Sequence, residues 1–189
     1  SSHISSLLNK AFEGRFFLNP FISQEGHLLQ HLGIGFAGSS QRVNNESNLP
    51  SYISLGQNPI FDFNDPVVAN GPRTRLHPQL VWGFGPLGIL ADWTQTIQNL
   101  NFDIETQYYN QVPSITTTNK ASQIQLIYNV TKEEFNLFHL IPHQNFHPFE
   151  KGAYGAFQLV FRLTHLSLDG RVFSYPQTDV SSNTVTYPY

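Results

Sequence analysis

The segment RTRLHPQLVWGFGPLGILADWTQTIQ, residues 73–98, alternates between apolar and polar side chains, and the alternation restarts after the pair Gly85-Pro86. Its apolar positions are Leu76, Pro78, Leu80, Trp82 and Phe84, then Leu87, Ile89, Ala91 and Trp93. Its polar positions are Arg73, Arg75, His77 and Gln79, then Asp92, Thr94, Thr96 and Gln98. A period of two on both sides of a two-residue turn predicts a β-hairpin with one apolar and one polar face.

Such a hairpin fits two kinds of all-β fold. In a soluble sandwich the apolar face is buried against a second sheet, whereas in a membrane barrel it faces lipid and the polar face lines a water-filled lumen. Only 12% of the residues are charged and 14% are aromatic, against about 25% charged in soluble domains. No apolar run approaches the ~20 residues of a membrane-spanning helix. The composition therefore favours an antiparallel transmembrane β-barrel.

Four further segments carry strand patterns, and they are residues 14–21, 32–38, 121–130 and 153–163. In the last segment the apolar parity belongs to Phe157, Leu159, Phe161 and Leu163. Beyond that segment the apolar Leu166 falls on the same face as the polar Arg162, so the alternation changes phase. An extra residue in the strand would explain this change, which predicts a β-bulge near His165.

Polar residues rich in turn formers separate these segments. Residues 41–71 are predicted to form one long loop and residues 112–119 a second loop. The whole chain, residues 1–189, is predicted to be a single domain. Its end, Val185-Thr186-Tyr187-Pro188-Tyr189, is polar and interrupted by proline, which makes a poor closing strand, so we expect a portion of a larger barrel.

Six stretches carry a family resemblance. They are Glu13 to Phe21, Leu28-Leu29 with Leu32 to Gly38, Leu49 to Tyr52 with Gly56-Gln57, Asn70 to Gln79, Gly85 to Ile89, and Gly155 to Leu163. In this order they resemble the phosphate-selective porin O and P family of bacterial outer membranes. The resemblance implies a homotrimer in which each barrel, of about sixteen antiparallel strands, surrounds a water-filled channel. At ~9–11 residues per strand plus loops, the chain holds roughly half of one barrel, from its middle to late part.

Strand parity assigns the candidate functional side chains. The predicted pore-lining residues are Arg73, Arg75, Arg162, Asp92, Gln79 and Arg15. The predicted lipid-facing residues are Leu80, Trp82, Trp93, Leu126, Phe157 and Phe161, and the two tryptophans are interpreted as part of an aromatic girdle. Asp92 is expected to oppose the arginines on the neighbouring strand. A wall of mixed sign predicts only a weak ion preference.

Other chemistry is not indicated by the sequence. His139, His143 and His147 have the spacing of zinc ligands on a helix, but Pro142 and Pro148 interrupt any such helix, so no metal site is predicted. The chain contains no cysteine and no nucleophile, nucleotide-binding or metalloprotease motif, so neither enzyme activity nor a cofactor is predicted. The formal net charge of -3 argues against a nucleic-acid partner.

The sequence therefore predicts a bacterial outer-membrane porin for passive diffusion of small hydrophilic solutes or ions, with anions such as phosphate among the candidate solutes. Its predicted partners are outer-membrane lipid and further copies in a trimer. One alternative is a non-conducting barrel that serves as a structural subunit of an envelope complex. The other is a soluble β-sandwich that binds carbohydrate or a protein through exposed aromatic residues such as Tyr108 and Tyr109.

Overall fold

The computed structural model describes residues 10–54, 56–63, 67–102, 114–173, 177–179 and 184–186, and these residues form an all-β structure. The strands are β1 (Ala11–Leu18), β2 (Gly33–Glu46), β3 (Tyr52–Ile53), β4 (Pro59–Phe61), β5 (Val67–Phe84), β6 (Leu87–Phe102), β7 (Ser114–Asn129), β8 (Gln158–Ser167), β9 (Gln177–Asp179) and β10 (Thr184–Thr186). One antiparallel sheet has the order β1-β2-β5-β6-β7-β8. Two small two-stranded sheets are formed by β3 with β4 and by β9 with β10.

Strands β5 and β6 form the predicted hairpin. Their register pairs Phe84 with Leu87 across the Gly85-Pro86 turn, and Gln79 with Asp92 further along. Gly85 has a φ of 52°, a left-handed conformation that glycine adopts without a clash from a Cβ atom. Because directly opposed residues point to the same side of a sheet, the apolar positions of the two strands lie side by side. The hairpin prediction is confirmed.

The strands reach further than the sequence pattern indicates. β2 continues to Glu46 and β5 begins at Val67, so the connection between them spans residues 47–66 and is shorter than the predicted loop 41–71.

Two local predictions near β7 and β8 are wrong. Residues 114–119, predicted as a loop, are the first part of β7, because their backbone pairs with the end of β6. The bulge predicted near His165 is absent, since β8 pairs with β7 without a register shift from Gln158 to Ser167. The parity change arises because Leu166 lies on the polar face opposite the small Ala121.

The large sheet is a single open layer. Within the described residues β1 pairs only with β2 and β8 pairs only with β7, so each outer strand keeps one edge of unpaired backbone groups. Every side chain of β1 is exposed, as is nearly every side chain of β8. These strands alone do not close a barrel.

Two connections fold over the polar face of the sheet. At one end, Leu49 and Phe63 of the 47–66 connection pack on a cluster of buried residues formed by Val43, Ala69, Leu100 and Ile115. At the other end, Phe135 of the 130–157 connection lies over Gly83 and Gly88, which are directly paired across the hairpin. The Phe135 amide donates a hydrogen bond to the Gly85 carbonyl at 2.6 Å. Both ends of the polar face are thus covered by chain from the same protein.

The contact of Phe135 with the glycine pair predicts the effect of Gly88→Ala. A Cβ atom at Gly88 would overlap the Phe135 ring, so the ring must leave this site, at a cost of about 1–3 kcal/mol. Limited proteolysis should then cut within residues 131–157 faster than in the unchanged protein. The matched control is Gly14→Ala, because a Cβ there has no atom within 4 Å. In a Phe135→Ala background Gly88→Ala should add little; an equal loss in both backgrounds would contradict the contact.

Candidate functional site

The polar face of the six-stranded sheet collects the predicted pore-lining residues. By register, Arg15, Arg73, Arg75, Gln79, Asp92 and Arg162 all have the parity of this face. Small residues of β2 shape the same face, because Gly33 and Gly35 leave room for the ring of Phe17 to lie against the strand. The sequence pattern thus places the side chains on the correct face, but their surroundings differ from one arginine to the next.

Arg73 is buried and ion-paired rather than open to solvent. Only 5% of the residue is exposed. Its Nη2 lies 2.9 Å from Oε2 of Glu46, and its Nε donates a hydrogen bond to Oε1 of Gln98 at 3.0 Å. The Glu46 carboxylate compensates the Arg73 charge, so Arg73 contributes little field to the open part of the polar face. Arg73 therefore has the predicted parity, and its charge is paired with Glu46.

Arg75 and Arg15 border an open cavity of about 410 Å³ on the polar face, together with Glu13, Ser39 and His77. Arg75 is exposed, and its guanidinium group has no ion pair or hydrogen bond within the described part of the chain. Arg15 donates from Nη2 to Oε1 of Gln79 at 3.2 Å, a neutral partner that leaves its charge uncompensated. Two guanidinium groups and one carboxylate therefore give this cavity a net positive charge.

Asp92 does not oppose the arginines as expected. It is paired with Gln79 on β5 and with Gln123 on β7, whereas Arg75 is paired with Thr96. In the antiparallel register that starts at the Gly85-Pro86 turn, the residue of β6 opposite Arg75 is Thr96. Asp92 lies four residues closer to the turn than Thr96. The positive cavity and this carboxylate are therefore displaced along the sheet.

Arg162 lies on the outer strand β8 and is held by an amide. Its Nε and Nη2 both donate to Oε1 of Gln125, at 3.0 and 2.8 Å. A polar side chain on the same face, His77, forms a 2.7 Å hydrogen bond with Thr94 across the hairpin. Neutral amide and hydroxyl partners fix these side chains without neutralising the Arg162 charge.

The apolar face is arranged in cross-strand rows of directly paired residues. The row beside the Gly85-Pro86 turn contains Phe84, Leu87, Tyr128 and Leu159. The second row contains Trp82, Ile89, Leu126 and Phe161. The third contains Leu18, Ile34, Leu80, Ala91, Ile124 and Leu163. The fourth contains Phe16, Phe36 and Pro78, and the same register continues it with Trp93, Ser122 and His165.

These four rows form an apolar band with aromatic margins. The third row is entirely aliphatic, while stacked aromatic pairs lie towards the two margins, Trp82 with Phe84 and Phe16 with Phe36. Rows are two residues apart, so the band measures roughly 20 Å along the strands at ~3.3 Å per residue. The next row away from the turn contains one large apolar residue, Leu76, among small and polar residues, and the band ends there. The other members of this row are Gly14, Gly38, Gln95, Lys120 and Ser167.

The apolar band is open to its surroundings. Phe161 and Leu163 are 64% and 61% exposed, and no second sheet lies over the band within the described residues. The 19–32 segment reaches the band through its Leu28 carbonyl, which accepts a 2.9 Å hydrogen bond from Nε1 of Trp82. All predicted lipid-facing residues have the parity of this face, although Phe157 precedes the first residue of β8.

Two carboxylates outside the long strands have lowered pKa values. A hydrogen bond from the Thr131 hydroxyl is the main cause of the lowered pKa of Glu133. The Arg171 guanidinium holds the pKa of Asp169 well below its usual range, and Asp169 also accepts from the Thr118 amide at 2.8 Å. The hydrogen bond from the Thr118 amide to Asp169 therefore holds the segment after β8 against β7. Because the pKa of Asp169 is lowered in the folded protein, this stabilisation is fully present above the ordinary carboxylate pKa and is lost as the pH falls into strong acid.

Several features were missed by sequence reasoning. One is the contact of Phe135 with Gly83 and Gly88, which depends on how the 130–157 connection folds back over the hairpin. The sequence signal for it is that the two glycines lie at symmetric positions on either side of the turn and so leave room for a side chain. Tyr108 and Tyr109, named for the sandwich alternative, lie outside the described residues. In the part of the chain that the structure describes, no group of three or more ligand-type side chains could hold a metal ion.

Comparisons with protein-family models, with curated proteins and with solved structures find no match to this chain. No helix in the described ranges is long and apolar enough to cross a membrane.

The different surroundings of Arg73 and Arg75 predict different effects on stability. Arg73→Gln leaves the Glu46 carboxylate without its partner and removes a buried hydrogen bond, so the free energy of unfolding should fall by about 1–3 kcal/mol. Arg75→Gln removes an exposed side chain and should change it by less than about 0.5 kcal/mol. Urea unfolding of both variants in the same detergent measures the difference. Equal losses would show that Arg73 is not held as described.

Proposed function

We propose that this chain forms part of the wall of a bacterial outer-membrane β-barrel and serves passive diffusion of small hydrophilic solutes or ions. One observation carries the proposal: a single sheet has an uncovered apolar band with aromatic margins on one face and an arginine-bearing polar face on the other. Lipid-facing surfaces of transmembrane barrels have this band and these girdles, while the lumen side is polar.

The uncovered band supports a barrel over a soluble sandwich. In water, each exposed Leu or Phe side chain forgoes about 1.5–3 kcal/mol of burial free energy. A sandwich would place a second sheet or a connection over this face. Instead, the 47–66 and 130–157 connections both fold onto the polar face. In a membrane barrel, lipid hydrocarbon would surround the apolar band and shield its side chains from water, and the polar face with its two connections would line the interior of the barrel.

The open edges of the sheet also bear on the proposal. Unpaired N–H and C=O groups cost several kcal/mol each in hydrocarbon, so a sheet in a membrane must be continued until it closes. β1 and β8 each need a neighbouring strand under this proposal. The resemblance to the phosphate-selective porin O and P family implies about sixteen strands per barrel in a trimer of barrels, and the strands beyond β1 and β8 would then be the neighbours that these two edges need.

The polar face supports a modest preference for anions. Arg15 and Arg75 border one cavity with only Glu13 as a counter-charge, whereas Arg73 is neutralised by Glu46. Capture of a dehydrated phosphate needs several charge-assisted hydrogen bonds at once, and two open arginines supply only part of that set. We therefore propose a pore with weak anion preference over one built for phosphate alone.

A non-conducting structural barrel is the second candidate. The observation that favours it is that chain from the same protein covers both ends of the polar face. Such coverage narrows a lumen, and a lumen filled by its own connections would not conduct. A structural subunit of an envelope complex would then be the role of the barrel.

Single-channel recording tests the pore. The protein purified from its source, in a planar bilayer with a KCl gradient and then with phosphate replacing chloride, should give discrete conductance steps and a weak anion preference. Arg75→Glu should move the reversal potential towards cations, because it reverses an uncompensated charge on the polar face. Arg42→Glu is the matched control, since Arg42 has the opposite parity and lies beyond the apolar band. A silent bilayer with folded protein would favour the structural barrel, and equal shifts in both variants would remove Arg75 from the pathway.

Lipid contact is tested by a matched pair of tryptophans on β8. In a Trp82→Phe/Trp93→Phe background, Leu163→Trp places an indole in the aliphatic row, whereas Leu166→Trp places it on the polar face. Phospholipids brominated in their acyl chains should quench the first indole strongly and the second weakly, because quenching requires contact with the acyl chains. Quenching of neither would support the soluble sandwich and overturn the membrane assignment.

A further inference from the structure

A row of polar side chains is buried at the end of the polar face that lies away from the β5–β6 turn. Arg73, Gln98 and Thr117 are directly paired across β5, β6 and β7, and they are only 5%, 7% and 2% exposed. The large sheet is a single layer, so chain outside the sheet must cover this row. The next residue of β7 on the same face, Asn119, bonds to Tyr52 of β3, which identifies the β3–β4 hairpin as the cover.

Apolar side chains fix the base of the hairpin. Leu49 precedes β3 and Phe63 follows β4, and both pack on the cluster of buried residues that includes Leu100 and Ile115. Separating these side chains would bring apolar surface into water. The base therefore stays in place.

Two contacts hold the remainder of the hairpin against the sheet. The Tyr52 hydroxyl accepts a 2.8 Å hydrogen bond from Nδ2 of Asn119, and the Phe61 ring meets the Phe173 ring edge to face at a centroid distance of 5.2 Å. Tyr52 and Phe61 are paired across β3 and β4, so both contacts lie at one level of the hairpin. Each contact is of modest strength, because the hydrogen bond can be exchanged for one with water and Phe173 is 41% exposed.

The polar row beneath the hairpin has hydrogen-bond partners within the sheet. Arg73 is bonded to Glu46 and Gln98, and the Thr117 hydroxyl donates to the Gln98 carbonyl at 3.1 Å. Lifting the hairpin would therefore leave these groups paired, and it would bring polar rather than apolar side chains of this row into water. A surface of this kind allows a cover to leave and return at low cost.

We propose that the β3–β4 hairpin is a hinged cover of the polar face. Its apolar base acts as the hinge, and breaking the contacts of Tyr52 and Phe61 lifts the hairpin and exposes the buried polar row to water. The Arg73–Glu46 pair then becomes accessible to solutes. The motion itself does not depend on the proposed pore; in a pore, lifting the cover would widen the passage at this end.

Thiol labelling measures the lifting, since the chain contains no cysteine of its own. With Thr117→Cys as the only thiol, a water-soluble maleimide should react slowly with the folded protein in detergent. Tyr52→Phe/Phe173→Ala removes both outer contacts and leaves the hydrogen bond from the Asp169 amide to Asn119 in place. The labelling rate should then rise roughly tenfold, because the population of lifted hairpins increases when the two contacts are lost.

Two controls separate a local opening from a general loss of structure. Tyr128→Phe/Phe138→Ala makes the same exchanges at exposed side chains outside the hairpin, and it should leave the labelling rate of Thr117→Cys unchanged. Ala153→Cys places the thiol at another buried position, in the 130–157 connection. Its labelling rate should not respond to the loss of the two outer contacts.

An unchanged labelling rate at Thr117→Cys, or an equal rise at Ala153→Cys, would overturn the proposal. If Thr117→Cys does not fold, spin labels at Gln57→Cys on the hairpin turn and at Ser40→Cys on β2 follow the same motion. The distribution of distances between the two labels should broaden when both outer contacts are removed. An unchanged distribution would likewise count against a hinged cover.

Conductance in a planar bilayer is recorded separately for Tyr52→Phe/Phe173→Ala and for the unchanged protein. Larger conductance steps in the variant are expected, because its cover is lifted more often. A silent bilayer together with faster labelling at Thr117→Cys would count against the pore and support the cover. The two proposals therefore fail in distinguishable ways.

Discussion

The antiparallel register that extends from the β5–β6 hairpin to β1 on one side and to β8 on the other sets the face of every side chain in the large sheet. A side-chain period of two means that a slip of one residue at any pair of strands would move apolar side chains to the polar face. Between the Gly85-Pro86 turn and the pair Arg73–Gln98 the paired positions keep the same parity, so that two rows of the apolar face cross all six strands and two cross β5 to β8. The register shifts lie at the far end of the sheet, between Val43 and Glu46 in β2 and between Ala69 and Arg73 in β5. Both the apolar band and the arginine-bearing cavity are products of that register.

The two faces of the large sheet differ in the contacts that their side chains make. The polar face is where the chain folds on itself: its hydrogen bonds join side chains of neighbouring strands, and both long connections pack there. The Trp82–Leu28 hydrogen bond joins the apolar face to the 19–32 segment, while most of this face consists of exposed side chains that water solvates poorly. An environment of hydrocarbon on one side and a confined aqueous space on the other fits this division, which is why the porin proposal rests on the sheet as a whole.

Charge on the polar face depends on contacts more than on position. Arg73 and Arg75 are two residues apart with the same parity, yet one is buried beside Glu46 and the other is exposed beside an open cavity. The difference arises because β2 extends to Glu46 and the 47–66 connection covers that end of the sheet. A similar situation occurs at the other end of the sheet, where the 19–32 segment and the 130–157 connection, distant in sequence, line one cavity of about 760 Å³.

Local and periodic properties of this protein are predictable from its sequence: the hairpin, the long strands, the face of each side chain and the separation of apolar from polar residues. These follow from an alternation that is written residue by residue and from a turn whose glycine suits a left-handed backbone. Four features are seen only in the folded chain: the end points of the strands, the ion pair of Arg73 with Glu46, the packing of Phe135 on Gly83 and Gly88, and the cavity between the 19–32 segment and the 130–157 connection. Such contacts join residues far apart in the chain, and no local pattern encodes where a long connection will fold back.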